Sequence, residues 1–161
     1  MTGFEYALAA LMIHNGIICE GERIVRTVRE RYDGEKRNPY NEIECGSNYA
    51  RSMASFALLP IYSGFRYDMT KKYIGFFPVR GEIGRYFFSV QNTWGTVRLE
   101  ENMQQLRIEG DALELREYGT HAASRVRGVV VDGKKIAFTV QEDGIAFAPV
   151  RIQKSLKILL I

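Results

Sequence analysis

The sequence is poor in the residues that most often carry chemistry. It has two histidines and two cysteines in 161 residues. His14, Cys19, Cys45 and His121 are dispersed, without the close spacings that present ligands to a metal. Neither a metal centre nor a disulfide framework is expected, and two thiols of this kind suit a reducing compartment. No glycine-rich turn joins a strand to a helix, which excludes a phosphate-cradling loop. No apolar run approaches the ~20 residues needed to cross a bilayer, and the first residues lack a basic stretch followed by an apolar one. Cytoplasm is the expected compartment. An excess of one charge is missing too. Twenty-two basic residues against 19 acidic ones leave +3, spread evenly, so neither nucleic acid nor an anionic membrane is expected as a partner. The basic run Arg23, Arg26, Arg29, Arg31, Lys36 and Arg37 is interleaved with Glu22, Glu30 and Glu35. It reads as a solvated helix face, with Glu22 and Arg26 as an i,i+4 pair. Nucleophilic catalysis by Ser47 or Cys45 would need a nearby base, and nothing in the sequence ties either histidine to them. No cofactor is called for.

What the chain does have is a change of character near residue 80. Its length fits one large domain or two small ones and can enclose a proper core. Residues 1–80 show long apolar-periodic segments, and residues 81–161 show short alternating ones, so the chain is expected to be α+β, with a helical region followed by a small antiparallel β domain. The first helix opens on Thr2-Gly3-Phe4-Glu5, a capping-box pattern, and ends at Asn15-Gly16, with an apolar body between them. The second, about Glu20 to Tyr32, is amphipathic. The third, about Asn48 to Ser63, is nearly all apolar, carries Pro60, and is expected to be buried. Apolar, amphipathic, apolar is the order of a toroid of helical hairpins, in which helices alternate between inner and outer layers. Three helices cannot close such a ring, and their apolar surface would stand bare unless something covers it. A small helical layer on a sheet is the alternative.

From Arg85 onward the strand candidates are RYFFSV, WGTVRLEE, QLRIEG, LELREY, RVRGVVV, KKIAFTV, IAFAPVRI and SLKILLI. Asp132-Gly133 and Asp143-Gly144 are hairpin signals, because glycine accepts a positive φ. A β-sandwich follows from strands at this spacing, and Lys134, Lys135, Arg151 and Lys157 fit its solvated face. The passage from Tyr67 to Gly84, which contains Pro78, is expected to link the two parts.

Residues 41–53, NEIECGSNYARSM, are the most unusual stretch. A loop bearing Glu42 and Glu44 runs into the third helix, whose first turn carries Arg51. A cation there opposes the helix dipole at a cost of ~0.3 to 1 kcal/mol, so a carboxylate or a ligand must compensate it. The loop acids could clamp Arg51 structurally, or acid and guanidinium together could grip a hydroxyl-rich ligand. Glu42 and Glu44, two apart on an extended segment, would also lie ~6.5 Å from each other. That is within the range of a glycosidase carboxylate pair, although any E-x-E in a loop meets it.

The stretches TGFEYALAALMI (2–13), VRERYDGEKRNPYNEIECGSNYARSMASFALL (28–59) and YIGFFP (73–78) resemble the C-terminal part of glycoside hydrolase family 116. That family comprises bacterial β-glucosidases and β-xylosidases and the non-lysosomal glucosylceramidases. The resemblance covers about the first half of the chain and is densest in ECGSNYARSMAS. It implies that the helices are the last ones of an α/α toroid and form part of the wall of a sugar pocket. It implies retaining hydrolysis of a β-glycoside by a glutamate nucleophile and an aspartate acid/base, both on segments upstream of Met1. By position in the motif, Glu42 and Arg51 are then the pair that binds the glucose hydroxyls, and Glu44 orders the loop. The implied partners are a β-glucoside-type sugar in the complete enzyme and, through the apolar helices, the rest of the toroid or a second copy.

Overall fold

In a computed structural model of the chain, residues 2–36, 52–81 and 83–161 are described. They divide into two compact units, Met1–Tyr62 and Ser63–Ile161. The protein is α+β, with a β-sandwich in its second unit.

The first unit is built on a helical hairpin. Helix α1, Thr2–His14, buries Tyr6, Ala9, Ala10 and Ile13, which recur at helical spacing and form one stripe. It ends in a Schellman motif. Gly16, at φ +81°, donates its N–H to Ile13 O at 3.1 Å, and Ile17 donates to Met12 O at 2.9 Å. Helix α2, Ile18–Arg31, buries Gly21 and Val28. A Cβ on Gly21 would stand 2.6 Å from Ile13 Cγ1 and 2.9 Å from Ala9 O, so the two helices cross backbone to backbone there. At the far end Arg31 reaches Glu5 at 2.6 Å, and the exposed pair adds little to stability. The expected third helix is two elements, a 3-10 helix at Ser52–Ala57 and a short α3 at Leu58–Ser63. Pro60 supplies the reason. It has no N–H for the carbonyl of Phe56 and its ring crowds that oxygen, so the α-helix can begin only where Pro60 falls in its first turn. The expectation of burial fails here, because Met53, Phe56 and Leu59 are exposed.

The second unit contains eleven strands: β1 Phe65–Asp68, β2 Tyr73–Phe76, β3 Gly84–Val90, β4 Thr93–Leu99, β5 Met103–Ile108, β6 Leu113–Thr120, β7 Val126–Val131, β8 Lys134–Ile136, β9 Thr139–Gln141, β10 Gly144–Ile152 and β11 Ser155–Leu160. They form a five-stranded sheet in the order β1-β2-β6-β10-β9 and a six-stranded sheet in the order β3-β4-β5-β11-β7-β8. Every ladder is antiparallel except β2 with β6, which run parallel. The inward side chains of both sheets make one core, including Ile74, Leu115 and Ile145 from the first and Val97, Leu106 and Leu156 from the second. Among the described residues no helix is long and apolar enough to cross a membrane.

Three strands were not foreseen. The stretch expected to be a link holds the end of β1 and all of β2, joined by a turn in which Asp68 Oδ1 accepts from the Thr70 N–H and hydroxyl at 3.0 and 2.6 Å. Buried residues run consecutively along β2, so no alternation marks it. The segment KKIAFTV splits into β8 and β9, which belong to different sheets. The segment with Gly110-Asp111, between β5 and β6, is another crossing between sheets. At Gly64, φ +57°, a side chain would collide with the main chain of Phe77, whose N–H bonds to Gly64 O at 3.2 Å.

Asp132 ties two turns together. It takes φ +47° beside Gly133 at +88°, a hairpin geometry, and its carboxylate accepts the N–H groups of Gln153, Lys154 and Ser155, each at 2.8 Å. Burial works to raise its pKa, but those three N–H groups and the Lys154 ammonium outweigh it and hold the carboxyl below its ordinary range. A depressed folded pKa stabilises the fold above the unfolded value and loses that contribution as pH falls through the folded one. Asp132→Asn, which keeps the backbone preference, should lower stability by about 1 kcal/mol at neutral pH after allowance for exposure, in urea unfolding. The deficit should close on acidification. Tyr118 gives an opposite expectation. Its ring is buried in the core, its hydroxyl has no hydrogen-bond partner among the described residues, and burial pushes the phenol pKa up. Tyr118→Phe should be neutral or stabilising by up to about 1 kcal/mol, and a clear loss would reveal a partner for the hydroxyl.

Candidate functional site

Glu42, Arg51, Glu44, Cys45, Ser47 and Asn48 lie outside the described residues. What the structure defines is the frame on either side of them. On one side, α2 ends at Arg31 and Tyr32 is buried. Asp33 then accepts the N–H groups of Glu35 at 3.0 Å and Lys36 at 2.8 Å, which folds the chain into a tight turn. The Lys36 N–H is the main cause of a lowered Asp33 carboxyl pKa; desolvation opposes it, and the Glu35 N–H and the Lys36 ammonium reinforce it. Lys36 Nζ also donates to Glu30 O at 3.2 Å. On the other side, the 3-10 helix Ser52–Ala57 packs on α1. Tyr62 donates its hydroxyl to Glu22 at 3.2 Å, so α2 and the end of α3 are linked through a side chain that was expected to pair with Arg26. The chain after Arg51 enters a six-residue 3-10 helix, Ser52–Ala57, in place of the first turns of a long α-helix.

Of the described histidines and cysteine, His14 and Cys19 belong to the first unit and His121 to the second. His14 and Cys19 are exposed, at the end of α1 and the start of α2. His121 sits in the second unit with its ring edge-on to Phe77, centroids 5.1 Å apart, while the Arg66 guanidinium lies 4.5 Å over that same ring. This stack is a packing arrangement of cation, aromatic face and aromatic edge. Among the described residues no group of three or more His, Cys, Asp and Glu comes together to hold a metal.

The sandwich has open hollows where the β3–β4, β5–β6, β7–β8 and β10–β11 turns gather at one end. One, of about 780 Å³, is lined by Gln91, Asn92, Thr93, Asp111, Leu113 and Arg151. A second, of about 460 Å³, has Asp132, Lys134, Val150, Arg151, Gln153 and Lys154 on its walls. Arg151 lines both. The first has mainly polar walls, which suit water and small polar solutes rather than an apolar cofactor, whereas the second also carries Val131 and Ile136 beside Val150.

Comparison with protein-family models finds no match for this chain, and neither does comparison with curated proteins.

The exposed apolar residues of the first unit are its other salient feature. Phe4, Leu8 and Leu11 are 68%, 50% and 60% exposed and follow one another at helical spacing on α1. The helix thus has two apolar faces, one packed on α2 and the other bare. Met53, Phe56 and Leu59 continue the theme on the elements after the loop.

Proposed function

We propose that the chain is the C-terminal part of a retaining β-glucosidase of the glucosylceramidase-like kind, supplying one wall of the sugar pocket. Glu42 and Arg51 bind hydroxyls of the glucose ring, and the nucleophile and acid/base belong to helices of the toroid other than these. The resemblance in ECGSNYARSMAS is the origin of this reading. The observation that carries it is the second apolar face of α1. A 13-residue helix whose acidic and basic residues amount to Glu5 and the terminal His14 gains little by facing water with Phe4, Leu8 and Leu11. It suits a position between layers of a larger helical assembly, which a toroid provides. Ionised partners such as a carboxylate and a guanidinium make stronger hydrogen bonds to hydroxyls than neutral groups do. Two such groups open to water, without the rest of a pocket, cannot offset the solvation of a sugar.

The same bare face favours a second reading, that of a non-catalytic module that docks on another chain or binds carbohydrate through Glu42 and Arg51. Both readings predict no turnover of aryl β-glucosides by this chain. Calorimetry with glucose separates the first from the carbohydrate-binding form of the second: no heat at millimolar sugar fits the first, and heat abolished by Glu42→Gln and Arg51→Ala fits the second. Turnover that Glu42→Gln and Glu44→Gln each abolish would overturn both and make the loop carboxylates the catalytic pair.

A further inference from the structure

Two aromatic rings lie bare on the outer face of the six-stranded sheet. Phe87 on β3 is 58% exposed and Trp94 on β4 is 49% exposed. Their ring centroids are 6.4 Å apart and the planes are 36° from parallel. Strand parity puts them there. Phe88 and Val90 point into the core, as do Val97 and Leu99, so Phe87 and Trp94 must point out. Large aromatics are normally well buried, and a pair left in water side by side marks a contact surface.

Trp94 is also held in place. Glu109 and Gly110 donate their N–H groups to its carbonyl at 2.9 and 3.1 Å. A Cβ on Gly110 would lie 3.0 Å from Trp94 Cδ1, so the turn after β5 passes against the edge of the indole. Phe87 approaches from the strand on the opposite side. A ring fixed in this way loses little conformational freedom when a ligand settles on it.

The polar groups around the rings decide what that ligand is. Ser89 is paired with Trp94 across the β3–β4 ladder, and Thr96 is paired with Arg107 across β4–β5. Arg107 Nε lies 2.8 Å from Glu109 Oε1, and Arg98 Nε lies 2.7 Å from Glu100 Oε1. Each pair offers donors and acceptors together and cancels its own charge. We propose that this face binds a neutral oligosaccharide, one pyranose ring stacked on Trp94 and another on Phe87, with hydroxyls meeting Ser89, Thr96 and the Arg107–Glu109 pair. The C–H face of a pyranose is apolar and slightly positive, which matches the negative face of an aromatic ring. Its hydroxyls both donate and accept, as the ion pairs do. A single-stranded nucleic acid would also stack on aromatic rings, but it needs unpaired cations around them. The arginines on β4 and β5 already carry carboxylates, and Arg85 on β3 alone adds a net charge to these three strands' outer face. This site goes beyond the proposed function and uses neither Glu42 nor Arg51.

Trp94 is the single tryptophan, so its fluorescence reports this face without background. Titration of the full chain with cellohexaose, xylohexaose or laminarihexaose should quench or shift the emission for at least one of them, with a dissociation constant in roughly the millimolar range or below. Calorimetry should find binding weakened about tenfold by Phe87→Ala and abolished by Trp94→Ala. Both aromatic variants should keep the wild-type circular dichroism, because neither ring belongs to the core. Silence with all three sugars, or sugar binding that survives Trp94→Ala, would refute the proposal. So would a salt-sensitive response to oligothymidylate in place of any response to sugar.

Discussion

The second unit depends on one constraint: two sheets must each send every other side chain into the space between them. Val97 and Leu99 on β4, Leu106 and Ile108 on β5, and Leu156, Ile158 and Leu160 on β11 all obey it, and they meet Leu113, Leu115 and Ile152 from the facing sheet. Because the period is two, the fate of each neighbour is fixed at the same time. Val97 cannot be inside unless Trp94, Thr96 and Arg98 are outside. The buried contacts of the core thus set the composition of the exposed face, and a ring that reaches water there has been put there by residues that never do.

The first unit obeys a weaker constraint. Between its ends a helix satisfies its own backbone hydrogen bonds, so packing need cover only part of its circumference. On α1 the stripe Tyr6, Ala9, Ala10 and Ile13 is enough to hold α2, with Gly21 letting the backbones meet. The opposite stripe is left over. An apolar sequence therefore says which residues are able to be buried, while the number of neighbours says which ones are.

Much of this architecture was legible because it rests on local rules. Alternation located eight strand segments, the Asn15-Gly16 stop and the Asp132-Gly133 turn follow from glycine's tolerance of positive φ, and α2 follows from its polar and apolar faces. The misread places rest on tertiary context. β2 is buried on consecutive positions and so carries no period, β8 and β9 read as one strand until each finds a different partner, and the third helix looked buried because its composition permits it. Nothing local announces the parallel pairing of β2 with β6. Within the candidate sites, Trp94 was readable in principle: parity with Val97 and Leu99 places it outward. A single aromatic carries no motif, so alternation assigns it to a strand and to nothing more. Glu42 and Arg51 drew attention through a charge in an unfavourable place and through resemblance, and they lie outside the described residues.

The parallel pairing of β2 with β6 has a consequence for the order in which the chain is made. Synthesis delivers β1 and β2 early, but the partner of β2 arrives only after β3, β4 and β5 have been built, and those belong to the other sheet. Until then Ile74, Phe76 and Phe77 have no sheet to complete, and the open edge of β2 is a template for any passing strand. The ladder is non-local, so its loop-closure entropy is met late and the sandwich forms more slowly than its hairpins. A nascent chain would therefore expose this hairpin until β6 is made, which makes its edge a place where a holding chaperone would be of use.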